Sequence, residues 1–152
     1  MNTPIRIAIG ADHAGYALKQ ALIAHLSARG AEVTDLGTHS EASCDYPEFA
    51  HAVCKRIQDG SAALGILVCG TGIGMSMAAN KHPGIRAAAC SDTYSARLTR
   101  MHNNANVLCI GARVVGEGLA CDLADAFLDA EFEGGKHQRR IDLITAIEQG
   151  RY

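Results

Sequence analysis

Apolar positions along the chain follow two alternating rhythms. Short β-rich runs occupy residues 5–10, 32–36, 64–69, 85–90 and 106–110. Between and after them, residues 17–28, 47–58, 75–80, 93–101, 116–128 and 137–148 carry the mixed polarity expected of helices. In the first of these, Leu18, Ala21, Leu22, His25 and Leu26 share one stripe, and Gly30 lies just past its end. Pro47 suits the first turn of the second helix. Leu64 to Cys69 is almost continuously apolar, as in a strand buried on both faces. Strands that alternate with helices predict a parallel sheet covered on both sides. The expected architecture is a three-layer α/β/α, Rossmann-like fold with a five-stranded parallel sheet and a C-terminal helix. No linker, repeat or low-complexity segment divides residues 1–152, so one domain is expected.

Composition narrows the classes. Hydrophobic residues are 48% and aromatics only 5%, so the core must be built from Ala, Ile, Leu and Val. The net charge of -2 offers no field for nucleic acid or an anionic membrane. No apolar stretch reaches the roughly 18 residues of a membrane span, and the start shows no signal-peptide pattern. These features predict a cytoplasmic protein. The six cysteines include no CxxC, which argues against a zinc knuckle or a thioredoxin-type pair. Cys54, Cys90 and Cys109 sit in apolar patterns, where Cys acts as a small hydrophobe, and no disulfide is expected.

Parallel α/β sheets bind ligands beyond the carboxyl ends of their strands. Asp12-His13, Cys69 to Gly74, Ser91-Asp92 and Gly111-Ala112-Arg113 all occupy such places. Cys69 ends the most apolar strand and enters a glycine turn ahead of a helix, where exposed N–H groups favour a thiolate. A purely structural Cys is the competing reading, and the strand-end position favours the reactive one. Gly70-Thr71-Gly72-Ile73-Gly74 lets backbone amides converge on an anion, or is a simple tight turn. It is neither a Walker A loop nor the GxGxxG fingerprint. Asp12 is an N-cap for the first helix, and with His13 offers a carboxylate and an imidazole to a hydroxyl. His102-Asn103 follows the fourth helix, where an imidazolium is favoured with or without a function. His25, His39, His51 and His82 have no partner in view. Lys136, Arg139 and Arg140 load cations onto the first turn of an amphipathic helix, against its macrodipole. The segment is either a solvated basic patch or a phosphate site, which Arg113 can join.

Taken in order, these segments resemble the ribose-5-phosphate isomerase B family, which includes galactose-6-phosphate isomerase subunits and allose-6-phosphate isomerases. The resemblance runs over almost the whole chain. It is carried by Gly10-Ala11-Asp12-His13-Ala14-Gly15, Asp45-Tyr46-Pro47, Cys69 to Gly74, Ala78-Ala79-Asn80-Lys81, Gly84-Ile85-Arg86-Ala87, Tyr94-Ser95-Ala96, His102-Asn103, Asn106-Val107-Leu108, Gly111 to Gly116, and Glu133-Gly134-Gly135 with His137. It implies an aldose–ketose isomerase without metal or cofactor, working through an enediolate. By position, Cys69 is the proton-transferring base, and Thr71 with the Gly70, Gly72, Ile73 and Gly74 backbone stabilises the enediolate oxygen. His102 opens the furanose ring, with Asp12 sharing the proton handling. Asp12, His13, Tyr46 and Asn103 contact the sugar, and Arg113, Lys136 and Arg140 match phosphate-binding positions. Lys136 departs from the Arg common in the family, which keeps the charge and loses the bidentate fork. Another branch replaces the cysteine by a carboxylate deeper in the loop; with Cys69 and Ile73, this chain falls in the cysteine branch.

The implied partner is a sugar phosphate, and the implied assembly a homodimer or homotetramer with sites shared between subunits. Ribose 5-phosphate is the leading substrate, and a hexose 6-phosphate the runner-up. Two other classes compete: a flavodoxin-like nucleotide- or flavin-binding module, which has no use for Cys69, and a thiol redox sensor, which requires a resolving cysteine close by.

Overall fold

The computed structural model describes residues 2–152. Five strands and six helices alternate: β1 (Arg6–Ala11), α1 (Tyr16–Ala28), β2 (Glu32–Asp35), α2 (Tyr46–Gln58), β3 (Leu64–Cys69), α3 (Ile73–Ala79), β4 (Ala87–Ala89), α4 (Thr93–Asn103), β5 (Val107–Gly111), α5 (Glu117–Asp129) and α6 (Lys136–Glu148). The strands form one parallel sheet in the order β2-β1-β3-β5-β4. This is the α/β architecture expected from the sequence. No described helix is long and apolar enough to cross a membrane.

Alternation along the strands sorts the core into two layers. Ile7, Ile9, Ala11, Leu64, Ile66, Val68, Leu108 and Ile110 pack with Leu18, Leu22 and Leu26 of α1 and Leu123 and Phe127 of α5. Ala8, Leu67, Cys69, Val107 and Cys109 face the other way, onto Val53 and Cys54 of α2 and Met75 and Ala79 of α3. Every residue of β3 is buried, as its apolar run requires. Strand order reverses at β1 and β3: the chain first winds outward to β2, then crosses to β3. The crevice at such a switch point is where open sheets bind ligands. Asp12 follows β1 and Cys69 ends β3, so both border it.

Several boundaries differ from the sequence reading. β4 is only Ala87–Ala89, because Ile85 turns inward ahead of the strand and Arg86 is tied by Asn106 Oδ1, which accepts its N–H at 2.8 Å. α3 begins at Ile73, inside the glycine turn, with Gly72 as its left-handed cap. α4 extends to Asn103, so His102 and Asn103 belong to its last turn instead of following it. The cap of α1 is Gly15, not Asp12; the Asp12 carboxylate accepts the Gly15 N–H at 3.1 Å just ahead of the helix. Asp92 caps α4 by accepting the Ser95 N–H at 2.7 Å, which gives that strand end a structural role.

The largest unanticipated feature is Lys19. Its side chain is fully buried, and Nζ lies 2.6 Å from Asp35 Oδ1 at the end of β2. The same Asp35 oxygen accepts the Gly37 N–H at 2.9 Å, and Gly37 O accepts the Ala11 N–H at 2.8 Å. One ion pair thereby ties α1, β2 and the start of the loop before α2 to the residue preceding Asp12. A buried ammonium without its carboxylate is expensive. Asp35→Ala is expected to lower the unfolding free energy by about 3 kcal/mol in urea denaturation. Lys19→Met combined with Asp35→Asn should recover most of that loss, because the uncompensated charge is gone. A single variant as stable as wild type contradicts this account of the pair.

Candidate active site

Cys69 lies at the carboxyl edge of the sheet and is 5% exposed. Its carbonyl accepts the Ala112 N–H at 2.8 Å, and Gly70 O accepts the Arg113 N–H at 3.0 Å, so the β5 exit is latched to the β3 exit. The Gly72 N–H donates to Cys69 Sγ at 3.2 Å, a bond that strengthens when sulfur carries charge. The Ile73 N–H donates to Thr71 Oγ1 at 3.2 Å, leaving the Thr71 hydroxyl proton free to point outward. Those two amides are therefore spoken for. The Gly70, Thr71 and Gly74 N–H groups have no acceptor among the described residues and are the ones available to an oxyanion. α3 has only 7 residues, so these local N–H groups matter more here than a long macrodipole.

Glycine is needed at two points of this turn. Gly72 has φ 79°, and a Cβ there would lie 3.0 Å from the Ile110 backbone. A Cβ on Gly111 would lie 2.7 Å from the Thr71 backbone, so the loop rests directly on the end of β5. The neighbouring glycines show what borders the turn. A methyl group on Gly74 would meet the Tyr46 ring at 2.7 Å, and one on Gly70 would meet Arg113 Nη1 at 3.3 Å. Asp12, 6% exposed, donates its N–H to Val68 O at 3.2 Å, one residue before Cys69. His13 Nδ1 accepts the Cys44 N–H at 3.3 Å, which leaves its proton on Nε2. Asp12, His13, Tyr46, Cys69, Gly70 to Gly74 and Arg113 thus gather at one edge of the sheet.

The remaining candidates lie at the other edge. α4 starts near the carboxyl end of β4 and runs back against the strands for 11 residues, about 16 Å at 1.5 Å per residue. Its end is fastened there: Arg86 Nε donates to Asn103 O and Asn104 O, and Asn106 O accepts the N–H of Gly65, at the start of β3. His102 and Asn103 are therefore near the amino ends of the strands. Glu133 donates its N–H to Met101 O at 3.0 Å, and α6, with Lys136 and Arg140, starts beside it. Within one chain, Arg113 follows β5 at the carboxyl edge, whereas Lys136 and Arg140 lie on α6 beside the end of α4.

Around His102 the structure adds residues to which the sequence analysis assigned no role. His102 and His137 stack with ring centroids 4.2 Å apart and planes 7° apart. Glu133 Oε2 lies 3.8 Å from His102 Nε2 and 3.4 Å from His137 Nε2. Burial, then the His102, Lys136 and Arg140 charges, hold the His137 imidazole below its ordinary pKa, against the pull of Glu133. These three residues are the one group of metal-type donors among the described residues, within 4.8 Å of one another. Lys136 and Arg140 oppose a cation there. Other histidines also have partners the sequence did not show: His25 Nε2 is 2.7 Å from Asp125 Oδ1, and His51 Nδ1 is 2.8 Å from His82 Nε2.

A thiol, unpartnered amides and a hydroxyl thus meet at a sheet switch point with a cation at hand, a set that can hold an anion beside a sulfur. Comparison with known proteins makes the class specific. Residues 7–144 match the family model described as Ribose/Galactose Isomerase. The chain is 53% identical to ribose-5-phosphate isomerase B of Escherichia coli K12 over 146 residues, covering 96% of this chain and 98% of that protein. The solved structure of Clostridium thermocellum ribose-5-phosphate isomerase B is 49% identical, with TM-score 0.95, covering 97% of this chain and all of that one. The Mycoplasma genitalium enzyme, solved with bound ribulose 5-phosphate, is 44% identical with TM-score 0.93, covering 97% and 99%. The chain belongs to the ribose/galactose isomerase family.

The thiols should differ in reactivity. All six cysteines are free. Burial pushes Cys54 and Cys90 up to about 11 from 9.0, and holds Cys109 well above its ordinary value. Below pH 9 both folded and unfolded chains keep these protons; above it the unfolded chain releases them first. Stability should therefore fall between pH 9 and about 11, and Cys54→Ala should reduce that slope in urea denaturation. An unchanged slope in the variant would exclude Cys54 as a source.

Proposed function

We propose that this chain is an aldose–ketose isomerase that interconverts D-ribose 5-phosphate and D-ribulose 5-phosphate, with Cys69 as the base. The single observation that carries the assignment of the base is the Gly72 N–H bond to Cys69 Sγ beside three unpartnered amides. Isomerisation moves a proton between C1 and C2 through an enediolate, which requires a base, donors for the oxyanion and exclusion of water. The Cys69 thiolate takes the C2 proton of the open-chain aldose and returns it to C1, while the O2 hydroxyl proton passes to O1, so that C1 becomes the hydroxymethyl carbon and C2 the carbonyl. The Gly70, Thr71 and Gly74 amides and the Thr71 hydroxyl receive the developing oxyanion. Asp12, His13 and Tyr46 hold the sugar hydroxyls, and Arg113 contributes to the phosphate grip. The related enzymes named as ribose-5-phosphate isomerases, one of them holding ribulose 5-phosphate, favour the pentose over a hexose.

Ring opening and the rest of the phosphate grip come from a second copy of the chain. His102, Asn103, Lys136 and Arg140 of that copy meet the Cys69 edge of the first. Two features support the reading. The functional candidates divide between opposite sheet edges within one chain. The exposed apolar side chains also cluster where cover is needed: Ile73, Met77 and Val114 around the Cys69 turn, and Leu143, Ile144 and Ile147 along α6. A cleft lined in part by Ile85, Ala88, Thr99, Ile144 and Ile147 continues the α6 surface towards β4. A substrate of this kind places the enzyme among phosphorylated metabolites in the cytoplasm.

The test is a coupled assay of wild type and Cys69→Ala with ribose 5-phosphate and a panel of hexose 6-phosphates. Wild type should prefer ribose 5-phosphate, and the variant should lose at least about 100-fold in kcat. Turnover of none of these sugars by wild type contradicts the isomerase reading, and full activity of the variant contradicts the base.

A further inference from the structure

We infer that Glu133, with His137, is the positioning residue of His102: the nearby carboxylate and the stacked imidazole set the charge environment and the plane in which His102 opens the sugar ring. The inference rests on the ring-opening role proposed for His102 above. The backbone brings the group into place, because the Glu133 N–H donates to Met101 O and hooks the segment before α6 onto the last turn of α4. The Glu133 carboxylate then stands against both Nε2 atoms, 3.8 Å from His102 and 3.4 Å from His137. It has no other side-chain partner among the described residues.

At 3.8 Å the Glu133 carboxylate acts on the His102 ring as a nearby negative charge, the electrostatic partner for the positive charge the imidazole carries when it takes a proton from the sugar. His137 supplies the second constraint. It is buried and parallel to His102, so the His102 ring cannot tip without losing the stack. Burial, then the His102 charge and the Lys136 and Arg140 cations, hold the His137 imidazole below its ordinary pKa, against the pull of Glu133. The other charges at this corner are committed: Arg86 binds the Asn103 and Asn104 carbonyls, and Arg100 binds Asn104 Oδ1 and Ala105 O. Glu133 is left as the anion that faces the His102 ring.

The experiment separates ring opening from proton transfer. Ribose 5-phosphate is mostly cyclic. Ribulose 5-phosphate stays open, because its C5 oxygen carries the phosphate and no other hydroxyl closes a furanose on C2. Glu133→Gln and Glu133→Asp are compared with wild type, each confirmed folded by circular dichroism. Forward turnover of ribose 5-phosphate and deuterium uptake into C1 of ribulose 5-phosphate in D2O are both followed by NMR. Glu133→Gln should lower forward kcat on the order of tenfold, with KM changed by less than about twofold, and leave deuterium uptake within about twofold. Glu133→Asp should recover a large part of the forward loss. The His137 ring resonances should titrate at lower pH in Glu133→Gln than in wild type. Equal loss in both reactions, an unchanged forward rate, or unmoved titrations would overturn the inference. Wild type inactive in both reactions would instead remove the isomerase reading beneath it.

Discussion

Every parallel strand delivers its last residue to the same edge of the sheet, and the helix that follows carries the chain back to the other. That direction rule governs the whole site. It places Asp12 and Cys69 side by side, because β1 and β3 are neighbours at the point where strand order reverses. It also removes His102 from them, because His102 is at the far end of a helix. No side-chain motion spans a distance on the order of the length of α4. The division of the functional groups is a property of the topology, and a second molecule is the economical way to close it.

The two edges differ in chemistry as well as in position. The Cys69 edge is built from backbone: N–H groups held open by glycines that rest on Ile110 and Thr71, with one thiol beneath them. This arrangement is rigid and suits a charge that appears only during reaction. The His102 edge is built from side chains, in which two imidazoles and a carboxylate share a corner with two cations. Such a group is suited to holding a phosphate and moving protons on oxygen. The separation also keeps the Lys136 and Arg140 cations of each chain away from its own thiol. The Lys19–Asp35 pair belongs to the support of the first edge, because it secures the loop that leads to Tyr46 and sits against Ala11.

Much of this was legible in the residues. The apolar run ending at Cys69, the three glycines after it and the alternation of strand and helix placed the thiol at a sheet edge before any coordinates. The same pattern located His102 at a helix end, which already set it apart from candidates that follow strands. Three things were hidden. Burial of Lys19 was hidden because a lysine next to Leu18 looks like a solvated flank, and its partner lies 16 positions away. The Glu133–His137–His102 corner was hidden because it depends on the long-range N–H bond to Met101. The commitment of the Gly72 and Ile73 amides was hidden because a five-residue glycine turn has many conformations, and only its packing on β5 selects one. The family resemblance supplied residue roles that spacing could not.

The central claim is that one functional site needs the Cys69 edge of one chain and the His102 edge of another. Mixing tests it directly. Cys69→Ala and His102→Ala chains are prepared separately, unfolded together in equal amounts and refolded, and their activity on ribose 5-phosphate is measured. Each variant alone should be nearly inactive. In a two-chain assembly, half of the dimers are mixed and one site in each of those has both groups intact, so about a quarter of wild-type activity should return. No recovery, with mixed assemblies demonstrated by mass spectrometry, would contradict the claim and require both groups to act within a single chain.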